Sequence, residues 1–423
     1  MSNSFSKEER VAFEDILEGF QDLLVLSRHV NVYNTDQTMM ARTNDTIWRP
    51  MPYIAQSINS TPGTAIPGYQ NMTQLSVPST IGFSKTVPWT MTTLDLRDAL
   101  QEGRLGESAK QKLASDINVA IMNTAAAQGT LVVPVAAAAG DYDDVALCDS
   151  IMNEQGVPDY DRFLGLSSRD YNGLAGNLSQ ASRSFGNTKS DKAYERNYVG
   201  MVAGFDTYKF DYANRIAVAG GGATLIDTQA AANNYYVPQA TSTSVGGQIN
   251  VDNRYQTITV DNSVGVVAGD AFTIDGVVAV HHITKQSTGQ LKTFRVISVP
   301  AGGTTLVISP PIISNQGGSD AEAQYQNVIV TPAAAAPFNW LNTGASNINV
   351  FWQKDSLEIL PGRYAVPSDA GTAVMRATTD QGVELVMQKF YDIDSMTIKY
   401  RLDTLFGVVN KQPEMSGILL FNQ

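Results

Sequence analysis

The apolar positions of residues 107–128 recur every three or four residues, which is the spacing of one face of an α-helix. The stripe consists of Ala109, Leu113, Ile117, Ala120, Ile121 and Thr124. The pattern predicts a helix of roughly 33 Å that ends before Gly129. A second apolar stretch, residues 94–102, predicts a further helical piece on the N-terminal side. Gly103 and Gly106 predict a break or kink between the two pieces.

Residues 7–27 show a second helical pattern with a wider apolar face. That face consists of Phe13, Ile16, Leu17, Phe20, Leu23 and Leu24. The opposite face is acidic and consists of Glu8, Glu9, Glu14, Asp15, Glu18 and Asp22. Such an apolar face needs a partner surface. Two interpretations stay open: the helix docks on the body of its own chain, or it is an arm that docks on a neighbouring chain.

Residues 53–89 alternate only weakly between apolar and polar positions. Glycine and proline interrupt them at Pro62, Gly63, Pro67, Gly68, Pro78, Gly82 and Pro88. No segment is apolar enough for a core strand, so the pattern predicts an extended hairpin that projects from the body. A surface loop is the alternative.

The middle of the chain predicts a helix over residues 145–155, and Asp143 and Asp144 are its expected N-terminal caps. Capping is favoured over a cation site because the spacing lacks the glycine turn and distal glutamate of a calcium loop. Residues 199–210 predict a strand with a turn at a glycine.

From Gly220 to about residue 342 the chain becomes rich in threonine, valine, glycine and asparagine. Short alternating strands are expected at residues 256–260, 271–274, 277–280, 293–299 and 305–308. Their spacing of about ten residues is typical of a small β-barrel or sandwich. The block is long enough for its own core and has glycine- and alanine-rich ends, which favours an inserted domain. After it, strands are expected at residues 349–351, 384–391 and 395–409.

The composition of the chain excludes some classes of function. The chain has 423 residues, 43% of them hydrophobic and 17% charged, with a formal net charge of −12. An acidic surface argues against nonspecific binding to nucleic acid, which depends on lysine and arginine. A single cysteine, Cys148, excludes an internal disulfide. No segment resembles a signal peptide or a membrane span, so we expect no membrane association.

No motif predicts a catalytic, cofactor-binding or metal site. The histidines are His29, His281 and His282. On a strand the adjacent pair would point to opposite faces and could not share a metal ion. The chain is long, has no recognisable catalytic motif, and contains a terminal helix and a projecting hairpin that need partner surfaces. These features favour a self-assembling structural protein. The alternatives are a β-rich extracellular binding or adhesin protein, with residues 220–342 as its ligand module, and a hydrolase without a recognisable nucleophile.

Five segments in register resemble bacteriophage coat proteins: residues 44–50 (NDTIWRP), 199–206 (VGMVAGFD), 250–255 (NVDNRY), 349–352 (NVFW) and 401–414. The chain is most similar to major capsid proteins of short-tailed double-stranded-DNA phages of the Lederbergvirus (P-twenty-two-like) group. The resemblance implies an α+β Hong Kong 97-type capsid fold with an inserted all-β barrel domain. It also implies a virion protein that forms pentamers and hexamers in an icosahedral shell and has no enzymatic activity.

The resemblance assigns residues 1–32 to an N-terminal arm and 53–85 to an extended loop. It assigns 33–52, 86–129 and 391–423 to a peripheral domain with the long spine helix. Residues 130–219 and 343–390 form the expected axial domain, and 220–342 the inserted barrel. The implied partners are further copies of the chain, a scaffolding protein, a portal protein and packaged double-stranded DNA without sequence-specific binding. Assembly is expected in the host cytoplasm.

Three departures from relatives sharpen these expectations. The sequence starts at the arm, so we expect a separate scaffolding protein, with Glu14, Asp15 and Glu18 as its contact residues. The extended loop carries only Lys85 as a lysine, so no isopeptide cross-link is expected. Residues 239–247 carry no charge, which puts charge pairing through that loop in doubt. Because shells of this family expand, Gly103 and Gly106 are hinge candidates.

Overall fold

The computed structural model describes residues 5, 7–33, 46–52, 55, 57, 61–64, 69, 71–92, 99–181, 188–222, 224–227, 235–366 and 372–423. The helices within them are α1 (Lys7–Leu23), α2 (Ala99–Gln128), α3 (Tyr142–Gln155), α4 (Ser168–Ala181), α5 (Thr188–Arg196) and α6 (Asp320–Tyr325). Short 3-10 helices cover Leu26–His29 and Pro413–Met415.

The strands in the same residues are β1 (Asn31–Val32), β2 (Thr46–Pro50), β3 (Ser76–Thr80), β4 (Phe83–Thr92), β5 (Leu131–Pro134), β6 (Arg162–Ser167), β7 (Met201–Val202), β8 (Phe205–Phe210), β9 (Arg215–Ile216), β10 (Thr241–Ser244), β11 (Gly247–Asn250), β12 (Gln256–Thr259), β13 (Ala271–Val280), β14 (Ser287–Ser298), β15 (Thr305–Ser309), β16 (Phe338–Trp340), β17 (Ser346–Asn347), β18 (Asn349–Gln353), β19 (Leu357–Pro361), β20 (Ala373–Thr378), β21 (Glu384–Asp392), β22 (Thr397–Asn410) and β23 (Ser416–Leu420).

Helix α2 is continuous, so the predicted break at Gly103 and Gly106 is wrong. The helix has 30 residues and passes through both glycines, which makes it about 45 Å long. Helix α3 is confirmed, with a shifted cap. Its N-cap is Asp141, and the Asp144 carboxylate accepts the Asp141 backbone N–H at 3.2 Å. Asp143 is only an acidic residue of the first turn, where it suits the helix dipole.

The chain forms two compact units. The first consists of residues 1–47, 79–123 and 357–409. Its sheet has the order β1-β19-β22-β21-β20, and β4 also pairs with β22. The 14-residue strand β22 is the centre, because it pairs antiparallel with β21 and along ten residues with β4. Buried apolar residues of this unit include Phe20, Leu113, Ile117, Leu402 and Phe406.

The second unit consists of residues 48–78, 124–356 and 410–423. Its mixed sheet has the order β5-β23-β18-β6-β8-β7. Side chains of α3 and α4 share one buried apolar cluster with these strands, including Val145, Cys148, Leu174, Leu164 and Phe351. Residues 199–210 form β7 and β8 as predicted, with Ala203 and Gly204 at positive φ in the turn.

The inserted block has its own sheet and its own core. The sheet has the order β12-β15-β14-β13-β16, and all of its pairs are antiparallel. Residues 224–227 close it, because Leu225 bridges to Pro337 beside β16 and Ile226 bridges to Val260 after β12. The block also contains α6, so it is not purely β. Its two ends meet where the backbone N–H of Ala219 donates to Asn342 O at 2.9 Å.

Strand pairing differs from the predicted domain assignment at two places. Residues 357–361 and 373–390 pair in the sheet built on β22, although we placed them in the axial domain. Residues 416–420 pair with β5 and β18, although we placed them in the peripheral domain. The predicted strands at 271–274 and 277–280 are one strand, β13, with a bulge near Gly276, where φ is +77°. The remaining domain boundaries stay predictions.

Candidate functional site

The inserted block is fixed to the rest of the second unit by charged side chains of β14. Arg295 is fully buried and ends against the C-terminus of α2. Its Nη2 donates to Ala126 O at 3.1 Å and its Nη1 to Gly129 O at 3.2 Å. Its Nε donates to Gly269 O at 3.0 Å. The guanidinium therefore satisfies the Ala126 carbonyl, which the helix end cannot pair internally, and places positive charge where the helix dipole favours it.

Burial lowers the pKa of Arg295 to about 10, although the charge of Asp270 acts in the opposite direction. The neighbouring Thr293 adds a second link, because its hydroxyl donates to Thr130 O at 2.8 Å. Two alternate residues of one strand, Thr293 and Arg295, thus bind the end of α2 and the turn after it.

Lys292 forms a buried ion pair with Glu414 of the Pro413–Met415 helix. Lys292 Nζ lies 2.6 Å from Glu414 Oε1 and donates to Gln155 Oε1 at 2.7 Å, at the end of α3. Asn327 Nδ2 donates to the same Glu414 oxygen at 3.2 Å, and His282 Nε2 lies 3.5 Å from Oε2. Burial alone would raise the pKa of Glu414, but the charge and hydrogen bond of Lys292, with His282 nearby, hold it far below its usual range.

Arg254 provides a third link. It pairs side by side with Asp252, with distances of 2.9 Å for Nε–Oδ1 and 2.8 Å for Nη2–Oδ2. Its Nη1 donates to Asn410 O at 2.9 Å. We call Arg254, Lys292, Arg295 and their partners the polar anchorage. It joins the block to the ends of α2 and α3 and to the C-terminal segment.

The polar anchorage was not predicted from the sequence. A signal existed: Lys292 and Arg295 lie in a threonine- and valine-rich strand, LKTFRV, where alternation would put one of them inside. Buried charges must be paired. The partners could not have been found, because Ala126, Gln155 and Glu414 lie far away in the chain.

The predicted scaffold-contact residues Glu14, Asp15 and Glu18 are exposed on α1. The apolar side of α1, including Phe13, Ile16 and Phe20, is buried within its own chain. Of the two interpretations of this helix, docking on its own body is therefore the one observed in the single chain.

One residue of the predicted acidic face lies elsewhere. Glu9 is buried, and both Lys389 Nζ and the Tyr400 hydroxyl donate to its Oε1, the hydroxyl at 2.9 Å. This carboxylate ties α1 to the strands β21 and β22, so it cannot belong to an exposed binding face.

The predicted hinge glycines lie inside a helix, and Gly106 has a packing role. A Cβ on Gly106 would lie 2.7 Å from Cδ1 of Ile16 on α1. Gly19 of α1 makes the matching approach to the Lys110 side chain of α2. Asn118 Nδ2 also donates to Leu23 O at 3.1 Å, at the end of α1. The two helices therefore cross closely. The structure does not describe the side-chain surroundings of position 103.

The uncharged segment 239–247 forms most of a hairpin. Strands β10 and β11 pair from Thr241 opposite Asn250 to Ser244 opposite Gly247. The hairpin is exposed along almost its whole length, and Val245 at its tip is fully exposed.

The cysteine is buried, and the histidine pair lies just after β13. Burial and the nearby carboxylates of Asp144 and Asp149 raise the pKa of Cys148 well above its usual value, which makes the thiol inert. His281 and His282 follow β13 rather than lying on a strand as assumed, and His281 Nδ1 accepts the backbone N–H of Thr284 at 3.2 Å. In the described part of the chain, no three His, Cys, Asp or Glu side chains are grouped to hold a metal ion. No described helix is long and apolar enough to cross a membrane.

A family model described as "P22 coat protein - gene protein 5" matches residues 1–422. The chain belongs to the P22 coat protein family. This coat protein is a major capsid protein, which forms the icosahedral shell of a bacteriophage. It has the expected α+β capsid fold of the Hong Kong 97 type with an inserted β domain. The match spans nearly the whole chain, which the alternative of an adhesin with a ligand module at 220–342 does not explain.

Three solved structures are similar to the coat protein. The "CUS-3 coat protein I-domain" is 38% identical and covers 28% of this chain and 96% of that chain, with a TM-score of 0.22. A "Mycobacterium phage Che8" structure is 11% identical over 94% of this chain and 91% of that chain, with a TM-score of 0.45. The "bacteriophage PhiM1 mature capsid" is 12% identical over 94% and 87%, with a TM-score of 0.44.

Proposed function

We propose that the coat protein assembles into pentamers and hexamers with the help of a separate scaffolding protein, and that α1 is the contact for that protein. One observation carries the proposal. Helix α1 uses its apolar side on its own chain and leaves Glu14, Asp15 and Glu18 exposed together. These positions are one and four residues apart, so their carboxylates project from one side of the helix.

Three like charges within little more than one helical turn repel each other. A basic helix of a partner would relieve that repulsion and would be steered to the site electrostatically. The contact should weaken with salt, because the Debye length falls to about 10 Å at 0.1 M ionic strength.

The test is charge reversal with a matched control. The variant Glu14→Lys/Asp15→Lys/Glu18→Lys is expected to remain a folded subunit and to form no procapsids with co-expressed scaffolding protein, as seen by electron microscopy. The control Asp261→Lys/Asp275→Lys/Asp380→Lys makes the same charge change at exposed positions elsewhere and is expected to assemble normally. Normal procapsids from the first variant would refute the contact.

The remaining roles follow from the family and the acidic charge. We propose that the shell incorporates a portal protein, forms in the host cytoplasm and encloses double-stranded DNA. The net charge of −12 favours a wall that repels the DNA phosphates, so that packaged DNA can leave. The protein acts by repeated interfaces in closed symmetry, and we propose no catalytic activity for it.

A further inference from the structure

A segment of the predicted extended loop, residues 71–76, lies along helix α6 of the inserted block. The Gln324 side chain binds this segment with both ends of its amide group. Its Nε2 donates to Asn71 O at 2.7 Å, and its Oε1 accepts the backbone N–H of Thr73 at 3.3 Å. A carbonyl and an N–H two residues apart point to the same side of an extended chain, and a parallel neighbouring strand would bind the same two groups.

Two further side chains of α6 complete the contact. Asp320 Oδ2 accepts the backbone N–H of Asn71 at 2.8 Å, and the Tyr325 hydroxyl donates to Thr73 O at 3.0 Å. Side chains of α6 therefore satisfy the N–H and the C=O of both Asn71 and Thr73. These four bonds use only main-chain groups of the segment, so they do not depend on its side chains.

The same segment is held further along. Ser76 forms a parallel bridge with Asp252, next to Arg254 of the polar anchorage. The Met51 backbone N–H donates to Leu75 O at 2.8 Å, and Gln74 Nε2 donates to Met51 O at 2.7 Å. Met51, just before the loop, and Gln74 and Leu75 within it are thus joined beside the inserted block.

Helix α6 is itself held at both ends. Ser319 and Glu322 form a capping box, in which the Ser319 N–H donates to Glu322 Oε2 at 2.9 Å and the Glu322 N–H donates to Ser319 Oγ at 3.2 Å. At the other end, Lys285 Nζ donates to Gln324 O at 2.8 Å and to Gln326 O at 3.1 Å. A helix fixed in this way keeps its side chains in place for binding.

We propose that α6 is a main-chain clamp that fixes the extended loop on its own subunit before assembly. The clamp fixes the main chain at Asn71 and Thr73 and so prepares the loop for a neighbouring copy. The second statement rests on the proposed function, whereas the first concerns the free subunit alone.

The test is hydrogen exchange measured by mass spectrometry on the unassembled full-length protein. Gln324→Met keeps the length of the side chain and removes both hydrogen bonds. The peptide that contains residues 71–76 is expected to exchange about tenfold faster, which corresponds to a loss of about 1.4 kcal/mol for the bonds removed. Tyr325→Phe removes a single bond and is expected to give a smaller change in the same peptide.

Gln326→Met is the matched control, because the Gln326 side chain binds Val328 O instead of the loop. It is expected to leave the peptide unchanged. Unchanged exchange in Gln324→Met, or an equal increase in Gln326→Met, would overturn the clamp. Procapsid yield is measured separately. If Gln324→Met exchanges faster but gives a normal procapsid yield, the clamp is supported and its role in assembly is contradicted. A failure of the wild-type protein to assemble contradicts the proposed function and leaves the exchange result valid.

Discussion

Replacing Lys292 by methionine tests the polar anchorage at its buried ion pair. The Lys292 side chain is 1% exposed and lies 2.6 Å from Glu414. Methionine fills a similar volume but leaves the Glu414 carboxylate with Asn327 at 3.2 Å and His282 at 3.5 Å. Removing one partner of a buried ion pair costs about 3–5 kcal/mol, because the other charge stays buried without compensation. We expect a loss near the lower limit, about 3 kcal/mol, because these two neighbours remain.

The assay is urea unfolding of the free subunit, followed by tryptophan fluorescence. Trp340 lies in the inserted block and Trp352 in the mixed sheet of the second unit. The loss of stability should therefore appear in the unfolding transition that these tryptophans report. The control is Lys112→Met, which breaks an exposed pair with Asp116 on α2 and should cost less than about 0.5 kcal/mol.

A double variant separates charge from packing. Lys292→Met/Glu414→Gln leaves no uncompensated charge, so it should be more stable than Lys292→Met alone. A loss below about 1 kcal/mol for Lys292→Met, or a double variant that loses the sum of both single changes, would contradict our reasoning about the buried pair.

The same pair predicts an acid response. The pKa of Glu414 is lowered in the folded protein, so at acidic pH the unfolded state binds more protons at this carboxylate. Its contribution is complete above the unfolded pKa of about 4.3 and is lost as the pH falls below it. The unfolding midpoint of Glu414→Gln should therefore decrease less than that of the wild type between about pH 5 and pH 3. Parallel curves would count against the assignment.

Two further predictions concern the spine helix and the shell wall. Gly103→Ala/Gly106→Ala should stabilise the helical backbone by up to about 1 kcal/mol at each site. Part of the gain at position 106 should be lost to the contact with Ile16. The variant should also hinder shell expansion, as observed by electron microscopy. Normal procapsids that expand normally would remove the hinge hypothesis. Empty shells should not bind double-stranded DNA at physiological salt in a sedimentation assay, and tight binding would contradict the proposed repulsion.

The sequence predicted elements whose local pattern and packing agree. Helix α3 and the strands β12 and β15 have the expected periods. The continuity of α2 could not be predicted, because Gly106, which disfavours a helix locally, is also where Ile16 of α1 approaches. A close helix crossing is a tertiary reason for glycine, and it is invisible in a single sequence.

Two of the strands that were missed share one property. Strands β6 and β23 are buried along their whole length, so they lack the alternation that marks a half-exposed strand. The residues of the candidate site also differ in whether the sequence alone could predict their positions. The exposed carboxylates of α1 could be predicted from the helical period, but Glu9 could not, because its partners Lys389 and Tyr400 lie 380 and 391 residues away in sequence.

The hydrogen bond between Ala219 and Asn342 has a mechanical consequence. Because the inserted block begins and ends at one point, a tensile load along the main chain can pass from residue 219 to residue 342 without stretching the strands between them. Strain in the surrounding sheet then reaches the block through its anchoring contacts, which include the side chains of Lys292 and Arg295 and the main-chain bridge between Ser76 and Asp252. The block therefore lies outside the load path of the main chain. Its anchoring contacts determine how much of a deformation it experiences.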